Sequence, residues 1–419
     1  MVIGLSRTRY SPIAIDFGAD SLKLLQLVLG NPPQIVSAVA VHVPEEARMD
    51  PTARSVFFAD SLRDLIANGA FKGRRAICAI PAYQTLIQHF HITRVERQEL
   101  DEQINTHLKQ RLNIDPTRMV IRHFEVGEVV RDGTTRQEVI CLAASREAVM
   151  RHIETARKAK LDVVGMQSEP LAIIQSLAHL YRRAGDELRV TCFIDLGAAT
   201  SKVVIAHGTR MVFAKMIHAA GDHFTRQVAE ARSIGFDEAR KARIEASCGV
   251  DGRPALAAPL ADSSETPVDS IYAVESVNGT TRTVVATAPP PTSYKQPAPA
   301  SVVDKPLTPS PSGLNPNDPS NFRETLDCLL DELHLCVRYH HNMFPQSPIE
   351  KLIFVGGEAR HVKVCQEIAR SLRIGAQLGD PLARAAKATQ GASALGVDLN
   401  QPQPGWAVPM GLCLSETVL

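Results

Sequence analysis

Two stretches far apart in this chain repeat one pattern: residues 13–27 read IAIDFGADSLKLLQL and residues 192–206 read CFIDLGAATSKVVIA. In each, an aspartate and a glycine spaced D-x-G interrupt what otherwise reads as two buried strands. A carboxylate placed in such a setting is costly unless something compensates its charge. Asp16 and Asp195 fall at equivalent places in the two copies, so the chain is an internal duplication. Any fold assigned to it has to supply two similar strand–turn–strand units and a reason for an acidic residue in each.

The sequence has 419 residues, enough for two or more domains with a large core. Hydrophobic residues are 44% and charged residues 22%, as in ordinary globular proteins. A net charge of +1 argues against a broad nucleic-acid footprint, and one Trp with 5% aromatics argues against a base-stacking platform. The eight cysteines include no C-x-x-C pair and mostly lie in apolar runs. They read as small core residues of a reducing compartment. No window approaches the roughly 20 apolar residues of a membrane span, and MVIGLSRTRYSP has neither an h-region nor a cleavage site. The expectation is a cytoplasmic protein that meets a membrane only through a partner.

Along the chain, residues 13–43 read as three strands, followed by a helix with Val56, Leu62, Leu65 and Ile66 on its apolar side and by the short strand RRAICAIPA. Residues 83–165 change style, with alternating strands and two amphipathic helices, the first striped by Leu100, Ile104, Leu108 and Leu112. This reads as an α+β module inserted into a larger fold. The opening theme then returns around Asp195. Residues 250–320 break the pattern, with a hairpin signal at Asn278-Gly279 and then a proline-rich run whose composition predicts disorder. A helix striped by Leu326, Leu329, Leu330, Leu333 and Val337 follows, then a strand and a double-glycine turn, FVGGEA.

Four segments could carry chemistry: DFGADSLK (Asp16 to Lys23), SEPLAII (Ser168 to Ile174), DLGAATSK (Asp195 to Lys202) and FVGGEA. Glycine in each D-x-G turn, Gly18 and Gly197, lets the backbone approach a ligand, and successive N–H groups in such a turn make an anion site. Ser21, Thr200 and Ser201 add hydroxyl donors, and Lys23 adds a point charge for phosphates. An aspartate beside phosphates repels them directly but can hold Mg2+ through water. Two such turns face to face would clamp a polyphosphate, with Asp16 and Asp195 each paired with the metal. Gly356 and Gly357 would admit a flat base or ribose, and Glu169, at a helix start, could orient a water. For either D-x-G alone the plainer reading is a tight turn with a solvated aspartate.

In this order the segments resemble the phosphate-one, connect-one, phosphate-two and adenosine motifs of the actin, sugar-kinase and chaperone ATPase fold. More closely, AIDFGADSLKLLQL, SEPLAIIQSL, FIDLGAATSKVVIAHGTRMVFAKMI, IEKLIFVGGEARHVKV and GWAVPMGLCL resemble the type IV pilus assembly PilM family, relatives of the division protein FtsA. The resemblance implies an α/β, actin-like (ribonuclease-H-like) two-domain ATPase fold with an inserted FtsA-type, SHS2-like subdomain. Domain 1 would span 1–82, the insert 83–165, and domain 2 166–249 and 321–419, interrupted by 250–320. It also implies ATP with Mg2+ as cofactors. Asp16, Gly18, Ser21 and Lys23 match the first phosphate loop, Asp195, Gly197, Thr200 and Ser201 the second, and Gly356 and Gly357 the adenosine turn. GFDEARKAR matches the A-E-x-x-K helix, placing Glu238 and Lys241 near adenosine. Three departures stand out: Ala220 replaces a glycine in AAGD, Glu358 stands where a third glycine is common, and GLCLSE lacks the family's arginine.

The implied function is an assembly protein of a type IV pilus, or of a related secretion or DNA-uptake machine. It would hold the N-terminal cytoplasmic peptide of a PilN-like inner-membrane protein, contact motor ATPases, and hydrolyse ATP weakly or not at all. Self-association is compatible with this. An FtsA-like division protein would need a basic amphipathic tail, which LCLSETVL does not provide. A sugar or acetate kinase would need a catalytic base and a substrate pocket, and Glu169 is the one nominee. His334, His340 and His341 read as a solvated helix face, and His89 and His91 as surface residues of the inserted module.

Overall fold

The computed structural model describes residues 9–93, 97–131, 134–247, 323–388 and 397–415. The hairpin signal at Asn278-Gly279 and the proline-rich run lie outside the described residues. Strands β1 (Ile13–Phe17), β2 (Ser21–Val28) and β3 (Gln34–His42) form the first meander, followed by α1 (Glu45–Met49), α2 (Pro51–Asn68) and β4 (Arg75–Ile80). The inserted module contains β5 (Thr85–Thr93), α3 (Arg97–Leu112), β6 (Met119–Arg131) and β7 (Thr134–Ser145). After α4 (Arg146–Lys158), β8 (Asp162–Ser168) completes a sheet of order β3-β2-β1-β4-β8.

Helix α5 (Glu169–Ser176) leads into the second half: β9 (Val190–Leu196), β10 (Ser201–His207), β11 (Arg210–Ile217), α6 (Gly221–Arg232), α7 (Phe236–Ser247), α8 (Arg323–Met343), β12 (Lys351–Val355), α9 (Val362–Leu372) and β13 (Ala376–Leu378). Its sheet order, β11-β10-β9-β12-β13, matches the first strand for strand. Both sheets pair an antiparallel meander with two parallel crossover strands. The duplication seen in the D-x-G motifs therefore extends over each whole sheet.

Each central strand is buried on both faces, as its near-continuous apolar sequence requires. On one face of the first sheet Ile13, Ile15, Phe17, Leu22 and Leu24 meet α2 and α4 through Phe58, Leu62 and Ala156. Phe58, not Val56, anchors α2 there; Val56 points to solvent. The other face carries Ala14, Leu25 and Leu27 toward α5 and the last helices, α10 (Ala383–Ala388) and α11 (Ala407–Leu414). The crossing of α5 and α11 is close: a Cβ at Gly411 would overlap the Ala172 carbonyl, so only glycine fits. These two helices form the base on which the two halves meet.

Because α4 packs on α2 and β8 pairs with β4, both belong to the first sheet's layers. A boundary at 165/166 falls inside β8, and the three-stranded insert sheet, β5-β7-β6, spans 85–145. Its α3 face buries Leu100, Ile104 and Leu108 against Phe90, Ile92 and Cys141. Its other face lies on β11 and α8 of the second half. There Glu138, fully buried, meets His89 Nδ1 at 2.7 Å, His91 Nε2 at 3.2 Å and the Tyr339 hydroxyl at 2.5 Å. Burial opposes ionisation of Glu138, but hydrogen bonds from the two histidines and Tyr339 hold its carboxyl down at about 2. His89 Nε2 reaches the Ala214 carbonyl at 3.1 Å. Both its ring nitrogens thus face acceptors. His89 and His91 are interface residues, not surface ones. His340 likewise departs from a solvated reading: it is buried against His207 (Nε2 to Nε2 3.0 Å) and Phe344, and burial lowers its pKa to about 4.

Candidate functional site

The two D-x-G turns share one strand register. Asp16 pairs across to Lys23 between β1 and β2, and Asp195 pairs across to Lys202 between β9 and β10. A Cβ on Gly18 would lie 2.7 Å from the Ser21 carbonyl oxygen, and one on Gly197 would lie 2.6 Å from that of Thr200. Each glycine is therefore demanded by the same tight return of the chain.

The turns face one another. Asp16, Glu169 and Asp195 are all buried, and the charges of Glu169 and Asp195 reach Asp16. Lys202 Nζ ties the second turn to the start of α5, 2.7 Å from Asp195 Oδ2 and 2.6 Å from Glu169 Oε2. Burial disfavours its charge, but the two carboxylates outweigh this and hold its pKa above the ordinary value. Lys23 stands farther from Asp16, at 3.7 Å. Desolvation raises the Asp16 carboxyl to about 6, against the pull of Lys23. Three carboxylates thus share two ammonium groups, which leaves one negative charge without a partner.

Gly356 closes the second half of the cluster. Its φ is +92°, and a Cβ there would run into the Asp195 carboxylate and the Leu196 carbonyl. Gly357 is exposed beside it, next to Gly405. Glu358 turns back over Gly221 at the start of α6, where its carboxylate lies in the space a Cβ would need. It pairs with Arg243 of α7, whose Nη1 donates to the Gly221 carbonyl at 2.9 Å and to Thr225 Oγ1 at 2.5 Å. Ala220, another of the departures from the family pattern, is extended (φ −158°, ψ −176°), a conformation alanine adopts without strain.

The residues expected from sequence separate into two groups. Asp16, Gly18, Lys23, Glu169, Asp195, Gly197 and Gly356 form one cluster, with Ser21 and Thr200 buried at the two turns. Ser201 is turned inward and donates to the Ala219 carbonyl at 2.6 Å. Glu238 and Lys241 lie on the exposed side of α7, while Arg240 and Arg243 are the residues that helix sends toward the turns. Lys202 was not foreseen in a role, although its spacing from Asp195 equals that of Lys23 from Asp16. Among the described residues no group of three or more His, Cys, Asp or Glu is arranged to hold a metal by itself. The donor set instead fits a hydrated cation that offsets the surplus carboxylate charge beside an anion.

Two duplicated sheets, each contributing a D-x-G turn to one buried charged cluster, define an actin-like ATPase fold. A model of the type IV pilus assembly protein PilM family matches residues 14–270, more than half of the chain, and the chain belongs to that family. A solved PilM-PilN type IV pilus biogenesis complex shares the fold at 16% identity. The match covers 96% of this chain and 98% of that one, with a TM-score of 0.66. The ethanolamine utilization protein EutJ of Carboxydothermus hydrogenoformans is similar at 12% identity over 97% of this chain and 89% of its own, with a TM-score of 0.46. No curated protein sequence matches the chain. Among the described residues no helix is long and apolar enough to cross a membrane.

Proposed function

We propose that this chain is a cytoplasmic, ATP-binding member of the PilM family. It would dock the N-terminal cytoplasmic peptide of a PilN-like inner-membrane protein and so sit at the membrane through that partner. The observation that carries the nucleotide reading is the convergence of Asp16 and Asp195 on one buried cluster with Glu169 and Lys202. Asp16 and Asp195 would hold Mg2+ through water, the two D-x-G turns would take the phosphates, and Gly356-Gly357 would flank the nucleoside. Bound nucleotide supplies binding energy that favours the closed arrangement of the halves. Glu169 Oε2 already accepts from Lys202, which suits a charge-positioning role better than fast water activation and supports weak or absent ATPase activity.

The domain reading belongs to the same proposal: domain 1 over 1–82, an FtsA-type, SHS2-like insert within 83–165, and domain 2 over 166–249 and 321–419. The insert is fixed to the second half through Glu138 and Tyr339, so motion of the halves would reach any peptide held beside it. Calorimetry with Mg-ATP on the wild type and on Asp16→Ala and Asp195→Ala tests the reading. Micromolar binding that is lost in both variants is expected. Absence of binding in the wild type would leave a scaffold without a nucleotide switch.

A further inference from the structure

Beside the carboxylate–lysine cluster lies a second charged group that belongs to neither D-x-G motif. Asp20, at the tip of the first turn, accepts from two guanidinium groups on the same oxygen: Arg48 of α1 and Arg240 of α7. Its other oxygen lies 3.3 Å from His42 Nδ1. Burial opposes its charge, but His42, Arg240 and Arg48 together hold its carboxyl at about 2. Arg48 Nη1 extends on toward Asp222 Oδ1, 3.7 Å away. Asp222 is itself tied to the second turn, since its backbone N–H donates to the Ala198 carbonyl at 2.8 Å. Arg48 therefore spans the gap between the two turns.

Two features are unusual for a purely structural ion pair. The Arg48 side chain is only 9% exposed, yet its Nη1 is buried with no hydrogen-bond acceptor. Leaving a buried donor unsatisfied is costly, and a charged one more so. Two guanidiniums also crowd one carboxylate oxygen, although each offers a fork suited to a bidentate anion.

We propose that Arg48 and Arg240 form an anion subsite for the terminal phosphates of a polyphosphate, and that Asp20 occupies it as an internal competitor. An entering phosphate would accept from Arg48 Nη1 and take the Arg240 guanidinium from Asp20. Because Asp20 and Arg48 belong to the first half and Arg240 and Asp222 to the second, the exchange changes the ion pairs that hold the halves together. The ligand's identity as a nucleotide rests on the reading above; the anion subsite itself does not.

The test uses the full-length protein, inorganic triphosphate and Mg-ATP as separate probes in calorimetry, and thermal unfolding to confirm folding. Asp20→Asn removes the competitor and is expected to tighten triphosphate binding about tenfold. Arg240→Ala, at a partly exposed side chain, is expected to weaken it about tenfold. Arg48→Gln should weaken it too, provided the variant folds. Triphosphate affinity unchanged in both Asp20→Asn and Arg240→Ala would overturn the subsite, as would no triphosphate binding in either wild type or Asp20→Asn. Mg-ATP binding that needs Asp195 but ignores both arginines would overturn the subsite and leave the nucleotide reading standing. Arginine-dependent triphosphate binding without ATP binding would do the reverse.

Discussion

Asp16 and Asp195 sit opposite lysines in the same register, yet the two pairs are not alike. Lys202 lies 2.7 Å from Asp195 and 2.6 Å from Glu169, whereas Lys23 stands 3.7 Å from Asp16. The neighbouring parallel strands also differ. In the second half β12 runs into Gly356, pressed against Asp195; in the first half β4 runs into Pro81 and the single turn Ala82–Gln84, which carries no glycine. Duplication has preserved the backbone while the charge compensation has diverged. In the second copy one ammonium lies within hydrogen-bond distance of both carboxylates beside it. The first keeps a carboxylate whose burial raises its pKa to about 6 against the pull of Lys23, so its charge is the less compensated of the two. That asymmetry is what a cleft needs if one side is to be fixed and the other responsive to a ligand.

The largest effect should come from Lys202→Met. It leaves Asp195 and Glu169, both buried, facing each other without their ammonium, and breaking such a group typically costs about 3–5 kcal/mol. Two close carboxylates raise one another's pKa. An acid whose pKa is raised on folding stabilises the fold only at pH low enough to keep it protonated. The loss should therefore be partly recovered as pH falls, measurable as urea midpoints across a pH series. A midpoint shift that is small and independent of pH would show that Lys202 is not the charge that holds the second copy.

A middle-sized effect of opposite sign is expected from Asp16→Asn. The Asp16 carboxyl titrates at 3.8 unfolded and about 6 folded, so the folded state binds the extra proton between those values. Stability is then lost as pH rises through that window, by about 3 kcal/mol when complete. Asparagine does not titrate. The variant should be more stable than wild type above pH 6 without ligand, should lose this advantage toward pH 4, and should bind Mg-ATP poorly. A variant less stable than wild type at pH 8 would contradict the idea of an under-compensated first copy.

Much of this was legible before the structure. D-x-G between apolar strands constrains the turn so tightly that Asp16, Gly18, Asp195 and Gly197 could be placed from spacing alone, and the apolar stripe of α3 came out as read. What was not legible depended on direction. Arg48, Arg240 and Arg243 lie on helices whose polar sequences look like solvated faces until α1 and α7 are set against the turns. Val56 and Phe58 are two residues apart on α2, and only packing on Phe17 shows which faces the core. His89 and His91 share a strand face, but that face is covered by β11 and α8 through residues distant in sequence. The same is true of β8, whose partner β4 lies on the far side of the insert.

The smallest effect should come from Lys23→Met. At 3.7 Å and with its side chain 19% exposed, Lys23 is farther from its carboxylate and nearer to solvent than Lys202, so its loss should cost less than that of Lys202. Removing it withdraws the largest favourable charge on Asp16, so the Asp16 pKa should rise further and the pH window of instability should widen upward. Following the pH dependence of unfolding in this variant separates two accounts of the first copy. If Lys23 is a weak counter-ion, stability at pH 5 stays near wild type and falls modestly at pH 8. If the loss equals that of Lys202→Met at every pH, the two copies are compensated alike, and the 3.7 Å separation does not reflect a difference in how the halves are held. The first outcome leaves Asp16 dependent on a cation from outside the chain, and a polyphosphate arriving with its metal would bring one.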